Sequence, residues 1–398
     1  MFDLTRPFSL FNLFNLFTLF YVYRALQLAV RLVRERPLLS KEPLSRYQQS
    51  LAEQASFFIG VPPGVFIHEM CHALSIWLFG GQVVEFGYRV FWGYVVPNGR
   101  FSAAQDWFIS LAGTLGNLLF GTILWLALRH NKSSSVRFFA LRAFRFQVHF
   151  GLIYYPLFTL FLPVGDWLTI YNFSATPVLS GLTAVFHATL LLLFLYADRI
   201  GWFETPSFET VEAQMQFSQL ASSLNTQNEN GRLAYINYLR SGHAPKRARR
   251  ALQQFLQDNP HSAVGHLQQA LLHSEGQREL SQKAFESAQQ ALNLGLTQPR
   301  QQALAHEIVA RFYLDQGKGQ PAREQLTMAL LALGKTSEAE PQQARLLHLR
   351  SQAYRRETRL DEALRDLDDA ILLAQQANDQ KTAVFYQKEK EIMAHTFS

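Results

Sequence analysis

Long runs of apolar residues that contain hardly any charge fill the chain up to about residue 200. A run of about 20 such residues is long enough to cross the hydrocarbon core of a bilayer as an α-helix. We predict about five membrane spans, near residues 8–30, 56–79, 104–128, 147–170 and 178–197. The first run lacks the basic start and the small-residue cleavage site of a signal peptide, which favours an uncleaved span or an interfacial helix. The first half is therefore expected to be a polytopic membrane bundle of helices.

After about residue 205 the composition changes to Gln, Ala, Leu, Arg and Glu, with few β-branched residues. We predict a transmembrane domain over 1–204, a linker over 205–231 and a soluble helical repeat domain over 232–398. The single cysteine excludes a disulfide framework or a zinc cluster built from cysteines within the chain. The formal net charge is +6 and no long run of Lys and Arg occurs, so we expect a lipid bilayer and proteins as partners and no nucleic acid.

The basic residues are distributed unevenly among the connections between the predicted spans. Five follow the first span and five follow the third, whereas the loop over 81–103 has two and the turn near Ser174 has none. By the positive-inside rule, the first and third connections face the cytoplasm. The same orientation places everything after Asp198 in the cytoplasm, including the repeat domain.

The loop after the second span carries a β-like pattern. Gly80 and Gly81 form a turn, and the stretch over 82–97 is rich in Val, Phe, Tyr and Trp. Gly87 and Gly93 divide this stretch into short pieces, which predicts a small β-hairpin. The alternative is that this stretch is only an extramembrane connector between two spans.

The second predicted span contains the sequence H-E-M-C-H over residues 68–72. His68 and His72 are four residues apart, so on a helix both imidazoles project from one face and can bind one metal ion. Glu69 is adjacent to the first ligand, where a general base can take a proton from a metal-bound water. A pair of interior histidines that hydrogen-bond between helices is the alternative. Cys71 points to a different face, and we assign it no role.

A catalytic zinc site needs a third protein ligand, and the spans offer four candidates. Asp106 begins the third span, where a helix cap or an interfacial charge is the simpler interpretation. His149 and His187 lie in or near spans. Asp166 is preferred, because a carboxylate inside a membrane segment is costly and the neighbouring Pro163 and Gly165 would locally unwind the helix.

These features resemble the site-2 protease family of intramembrane zinc metallopeptidases over about half of the chain. Members of that family have an H-E-x-x-H helix, a β-hairpin, a Gly-rich helix with an asparagine and a later helix with an aspartate ligand. This sequence matches them in order at residues 68–72, 83–96, the A-G-T-L-G-N segment over 112–117, and Asp166. The resemblance implies a fold of membrane helices with a hairpin insertion.

The resemblance also implies roles for individual residues. It implies that zinc is held by His68, His72 and Asp166, and that Glu69 acts as the general base. Asn117 is implied to polarise or position the scissile carbonyl. The expected reaction is hydrolysis of a peptide bond in a membrane-protein substrate, with zinc as the cofactor.

The second half contains an internal repeat. Ala310, Tyr313, Ala322, Leu326 and Ala329 have the same spacings as Ser351, Tyr354, Ala363, Leu367 and Ala370. This pattern resembles the tetratricopeptide repeat, which implies an α-solenoid that binds a protein partner or a peptide. A helical domain that only packs on the membrane core or forms an oligomer is an equal alternative.

Three functions fit the sequence. The leading hypothesis is an intramembrane zinc metalloendopeptidase with a cytoplasmic repeat domain. The second is a catalytically inactive, membrane-anchored scaffold of the same fold that acts through its repeat domain. A transporter that uses intramembrane His and Asp residues is disfavoured, since no inverted repeats are visible.

Overall fold

The structure, a computed structural model, describes residues 10–162, 164–224, 228–334 and 340–397. It is mostly helical, with a single two-stranded sheet among the described residues. The chain divides into two compact units, one formed by Met1–Gln219 with Gly242–Lys246 and the other by Leu220–Ser241 with Arg247–Ser398.

The first unit contains the membrane helices and the hairpin. Its elements are α1 (Leu10–Arg34), α2 (Arg36–Leu39), α3 (Arg46–Phe58), α4 (Val61–Leu78), β1 (Gln82–Tyr88), β2 (Gly93–Asn98), α5 (Ala103–Leu128), α6 (Ser134–His149), a π-helix (Phe150–Tyr154), α7 (Tyr155–Phe161), α8 (Asp166–Ile170), α9 (Pro177–Arg199) and most of α10 (Val211–Ser222).

Four helical stretches of the described residues are long and apolar enough to cross a membrane, which indicates a membrane protein. They are Leu16–Arg34, Arg46–Leu78 (α3 and α4 together), Ala103–Leu128 and Pro177–Arg199. We predicted about five spans, and the predicted span over 147–170 is not among these four. Pro163 lies outside the described residues.

The stretch over 147–170 contains a π-helix and then a break after Phe161. Pro156 has no N–H to donate to the carbonyl of Leu152, and the chain forms a π-helix immediately before it. The Leu152 oxygen instead accepts a hydrogen bond from Nε2 of His187 on α9, at 2.8 Å. The helix ends at Phe161, and Gly165 has a φ of +115°, which a residue with a side chain rarely adopts. Up to Phe161 this stretch continues α6, so the chain is helical without a break from Ser134 to Phe161.

The predicted hairpin is confirmed. Strands β1 and β2 are antiparallel, with a bulge between Val83 and Glu85. The hairpin is anchored to α4, since the rings of Phe86 and Tyr88 pack against Phe66. The hydroxyl of Tyr88 also donates to the carbonyl of Pro62 at 3.0 Å. The hairpin is therefore fixed beside the helix that carries the two histidines.

A buried glutamine joins three of the membrane helices. Gln147 of α6 is 2% exposed, and its Nε2 donates to the carbonyl of Gly60 at 3.1 Å. Its side chain packs against Gly64 of α4 and Gly121 of α5, both of which have no room for a methyl group. Small residues at such crossings allow helices to approach closely in a membrane, and the polar contact adds to the packing.

The described residues of the second unit form helices and the connections between them. Its helices are α11 (Glu229–Ser241), α12 (Pro245–Asp258), α13 (Ala263–Ser274), α14 (Gln282–Asn293), α15 (Pro299–Asp315), α16 (Gly319–Leu333), α17 (Glu340–Arg356), α18 (Leu360–Gln376) and α19 (Gln380–Phe397). From α13 onward each helix packs on the next one. The segment predicted as a linker, 205–231, contains α10 and the start of α11. Its Ala, Met and Leu residues favour a helix despite the polar composition.

Alanines of the predicted repeat lie in the core of this unit. Ala322 and Ala329 of α16 and Ala363 and Ala370 of α18 are completely buried. The first two lie in a cluster with Leu326, and the other two lie in a second cluster with Leu367. The repeat positions therefore mark helix contacts, while the assignment to tetratricopeptide repeats stays a prediction.

Candidate metal centre

The two histidines of the H-E-x-x-H sequence lie one turn apart on α4, as the spacing predicts. Their Nε2 atoms are 3.0 Å apart, and the rings meet edge to face. His68 and His72 are both buried, at 7% and 6% exposure. They project from the helix toward α5 and α8 and not toward lipid.

Asp166 is the first residue of α8 and completes a group of three. Its Oδ2 lies 3.1 Å from Nε2 of His68 and 3.1 Å from Nε2 of His72. With zinc–nitrogen bonds of about 2.0–2.1 Å, ligand atoms at tetrahedral positions lie about 3.3 Å apart. The three atoms therefore have nearly the separation that one zinc ion requires. They are the only group of three or more His, Cys, Asp or Glu side chains near enough for a metal in the described part of the chain.

The hydrogen bonds of the two Nδ1 atoms determine which ring nitrogen of each histidine can bind a metal. Nδ1 of His72 donates to the carbonyl of Ile109 at 2.7 Å, so Nε2 keeps its lone pair. Nδ1 of His68 lies 3.3 Å from the amide of Asn117 on α5. Oδ1 of Asn117 is buried without a hydrogen-bond partner, and rotation of the amide by half a turn places it where it accepts from Nδ1–H of His68. Both histidines then offer Nε2 to a metal.

Gly113 leaves the space that the two histidines face. A Cβ atom at this position would lie 2.6 Å from Nε2 of His68 and closer still to Nε2 of His72. On the neighbouring face of α4, Cys71 packs against Gly116 in the same way, which explains its place in the motif as a contact between α4 and α5. The Gly-rich segment of α5 is therefore shaped around the metal-binding face of α4.

Glu69 is buried at 5% exposure and lies beneath the hairpin. A Cβ atom on Gly93, the first residue of β2, would lie 2.5 Å from Cγ of Glu69. The hairpin backbone therefore passes directly over the carboxylate side chain. A carboxylate in this position is sheltered from lipid and adjacent to the metal-binding group.

A family model described as Peptidase M50B-like matches residues 64–222. The match supports a site-2 protease core. It covers the whole group formed by His68, His72 and Asp166, together with Asn117 and the hairpin. No curated protein matches the chain.

The donor set of this core fits a catalytic zinc ion. Two imidazoles and one carboxylate, with a fourth position left open, are a common ligand set of zinc hydrolases. A bound metal also requires the space that Gly113 leaves open and the hydrogen bonds on Nδ1 of His68 and His72.

The other candidate ligands lie elsewhere. Asp106 is in the first turn of α5, which is capped by Ser102. His149 packs against the rings of Tyr154 and Phe194. His187 supports the π-helix, as described above.

Sequence reasoning missed Tyr155. Its hydroxyl donates to Oδ2 of Asp166 at 2.9 Å and accepts from the backbone N–H of Asp166 at 3.1 Å. Its ring meets that of His68 edge to face, with centroids 5.6 Å apart. The position of a tyrosine immediately before Pro156 and 11 residues before an intramembrane aspartate is the signal that the sequence offered.

Proposed function

We propose that this chain is an intramembrane zinc metalloendopeptidase that hydrolyses a peptide bond of a membrane-protein substrate. The observation that carries the proposal is the convergence of His68 Nε2, His72 Nε2 and Asp166 Oδ2 within 3.1 Å of one another, beside buried Glu69. The family match over 64–222 supports the same reaction class.

Each residue has a proposed role in hydrolysis. Zinc held by His68, His72 and Asp166 would supply a Lewis acid and a water of lowered pKa. Glu69 takes the proton of the attacking water and delivers it to the leaving amine. The Asn117 side chain contacts the His68 ring, so we assign it the orientation of that ligand in addition to its implied role beside the scissile carbonyl.

The hairpin is proposed to hold the substrate. A peptide bond in a transmembrane helix is hydrogen-bonded within the helix, so the substrate has to unwind before attack. A two-stranded sheet has free edges that can accept an extended segment by strand addition. The hairpin lies over Glu69 and is anchored to α4, so a strand added there would run next to the metal-binding group.

The test begins with zinc and then measures cleavage. Zinc is measured in the detergent-purified full chain for wild type, His68→Ala, Asp166→Ala and Glu69→Gln. His130→Ala, at an exposed position after α5, is the matched control. We expect about one zinc per chain in wild type, Glu69→Gln and the control, and a loss of zinc in the two ligand variants.

Cleavage is then assayed with a panel of tagged single-span reporter proteins in liposomes. We expect products with wild type and His130→Ala, and none with Glu69→Gln although that variant retains zinc. Folded wild-type protein without zinc would contradict the proposal. Equal cleavage by wild type and Glu69→Gln would contradict the role of Glu69.

The second unit is proposed to lie in the cytoplasm and to recruit a substrate or adaptor protein. The distribution of basic residues among the five predicted spans supports this orientation. This count takes the continuous helix from Ser134 to Phe161 as the fourth crossing. Because Cys71 is the only cysteine, Cys71→Ala gives a background for labelling single introduced cysteines. In intact cells, a membrane-impermeant maleimide should label Asn98→Cys, in the loop after the second span, and not Gln376→Cys of α18. The reverse pattern would contradict the orientation.

A further inference from the structure

We propose that Tyr155 is a positioning residue that holds the Asp166 carboxylate toward the two histidines and thereby strengthens metal binding. The inference rests on the metal site of the proposed function, and it does not depend on proteolysis. Tyr155 is not a metal ligand in this proposal, because it acts through Asp166.

The Tyr155 hydroxyl is bonded to Asp166 at two points. It donates to Oδ2 at 2.9 Å and accepts from the backbone N–H at 3.1 Å. One contact fixes the backbone of the residue and the other fixes its carboxylate, so together they restrict the side-chain torsions. The oxygen that accepts from Tyr155 is also the one that faces Nε2 of His68 and His72. The hydroxyl therefore aims the ligand atom.

Asp166 needs this support because its own helix is short. Helix α8 has five residues, and its N-cap residue, Gly165, has no side chain to fix the first turn. Gly165 also brings the chain close to Tyr155, since a Cβ atom there would lie 3.2 Å from the tyrosine hydroxyl. A glycine directly before Asp166 therefore permits both the positive φ at residue 165 and the close approach to Tyr155.

The π-helix that precedes Tyr155 in the chain is also held in place. Tyr155 directly follows the π-helix Phe150–Tyr154, whose freed Leu152 carbonyl is held by Nε2 of His187 at 2.8 Å. Nδ1 of the same imidazole accepts from the hydroxyl of Tyr171, which follows α8. His187 therefore connects the segment that carries Tyr155 with the end of the helix that carries Asp166. π-helical turns of this kind are frequent at functional sites.

Removal of the hydroxyl alone should weaken metal binding. Loss of a hydrogen-bond partner that orients a metal ligand typically costs 10–100-fold in affinity. Tyr155→Phe keeps the ring against His68 and removes both contacts with Asp166. Tyr154→Phe is the matched control, since Tyr154 is the neighbouring tyrosine and is 61% exposed.

The experiment measures zinc affinity of the detergent-purified full chain by competition with a chelator. The visible d–d spectrum of the Co²⁺-loaded protein reports the ligand set. We expect zinc binding to be weakened about 10–100-fold in Tyr155→Phe, with a changed Co²⁺ spectrum, and wild-type values in Tyr154→Phe. Unchanged affinity and spectrum in Tyr155→Phe would overturn the proposal. Normal metal binding with lost cleavage would also overturn it, because Tyr155 would then act on the substrate.

A second variant keeps the test decisive if Tyr155→Phe is unstable. Gly165→Ala places a methyl group against the same hydroxyl and should also weaken zinc binding. Wild-type zinc affinity in a folded Gly165→Ala variant would overturn the proposal. Glu69→Gln separates this inference from the proposed reaction, since it should abolish cleavage with wild-type affinity for zinc.

Discussion

Gly113 of α5 lies against His72 so closely that a methyl group at Gly113 would overlap the Nε2 atom of the imidazole. The same methyl group would lie 2.6 Å from Nε2 of His68. A glycine at this position therefore keeps open the space on which both nitrogens converge. The relationship predicts that the smallest possible side chain is enough to close the site.

The Gly113→Ala variant should lose most of its zinc and remain folded. The added methyl group has to displace the imidazoles, which changes the ligand geometry without introducing a charge or a polar group. Zinc content and thermal unfolding of the purified variant measure the two effects separately.

Gly181→Ala on α9 is the matched control, because nothing lies near its added Cβ atom. It should keep its zinc and, as a helical substitution, be stabilised by about 0.5–1 kcal/mol at most. Full zinc occupancy in Gly113→Ala would show that the metal lies elsewhere.

Gly93 on the hairpin should affect cleavage and not zinc. A Cβ atom at Gly93 would lie 2.5 Å from Cγ of Glu69, so alanine should displace either the carboxylate or the hairpin strand. We expect Gly93→Ala to retain zinc and to lose at least about tenfold in cleavage rate, as for a displaced general base. Val84→Ala, at an exposed position of β1, is the control and should cleave at the wild-type rate. A loss of zinc from Gly93→Ala would contradict this assignment.

The Gln147 side chain should stabilise the helix bundle. Gln147→Leu removes the hydrogen bond to Gly60 but keeps a similar volume, so it should lower the free energy of unfolding by about 1–2 kcal/mol. Gly64→Ala should cost more, because its Cβ atom would lie 2.6 Å from the Gln147 amide carbon. Unfolding of the detergent-solubilised chain measures both, with Gln27→Leu at an exposed position of α1 as control. Equal stability of Gln147→Leu and wild type would contradict the argument.

The sequence predicted the parts of the site that depend on local spacing. The four-residue interval between His68 and His72 is enough to place both rings on one helix face. The Val, Phe, Tyr and Trp residues over 82–97, divided by Gly87 and Gly93, are enough to predict the hairpin. The choice of Asp166 depended on the cost of a carboxylate in a membrane segment, and the structure places Asp166 against both histidines.

The remainder depends on contacts between distant parts of the chain. The π-helix before Tyr155 depends on a carbonyl of Leu152 that His187 satisfies from 35 residues away. The sequence shows that Pro156 has no backbone N–H to donate. It does not show which group satisfies the freed carbonyl of Leu152. Tyr155 directly follows this π-helix, and its hydroxyl meets Asp166 across the break between α7 and α8, so sequence spacing did not reveal the contact.

Glu307 in the second unit provides a prediction about pH. It is a buried glutamate of α15, at 3% exposure, that accepts a hydrogen bond from Arg345 of α17 at 2.6 Å. Burial raises the pKa of Glu307 above its usual value of 4.5, and the neighbouring Arg345 and Arg311 offset only part of this effect. The folded state therefore binds a proton more readily than the unfolded state.

The sign of the pH effect follows from this difference. The contribution of Glu307 to stability is fully present below about pH 4.5 and is lost as the pH rises through the raised pKa of the folded state. Glu307→Gln removes the charge and leaves Arg345, which is half exposed, in contact with water. At pH 7, the backbone amides of α15 and α17 should therefore exchange as slowly in the variant as in the wild type, or severalfold more slowly. The difference between the two proteins should be smaller near pH 5. Exchange is compared at each pH against Glu324→Gln, an exposed control on α16. Exchange in Glu307→Gln that is faster than in wild type at pH 7 would mean that the ion pair with Arg345 outweighs the cost of burial.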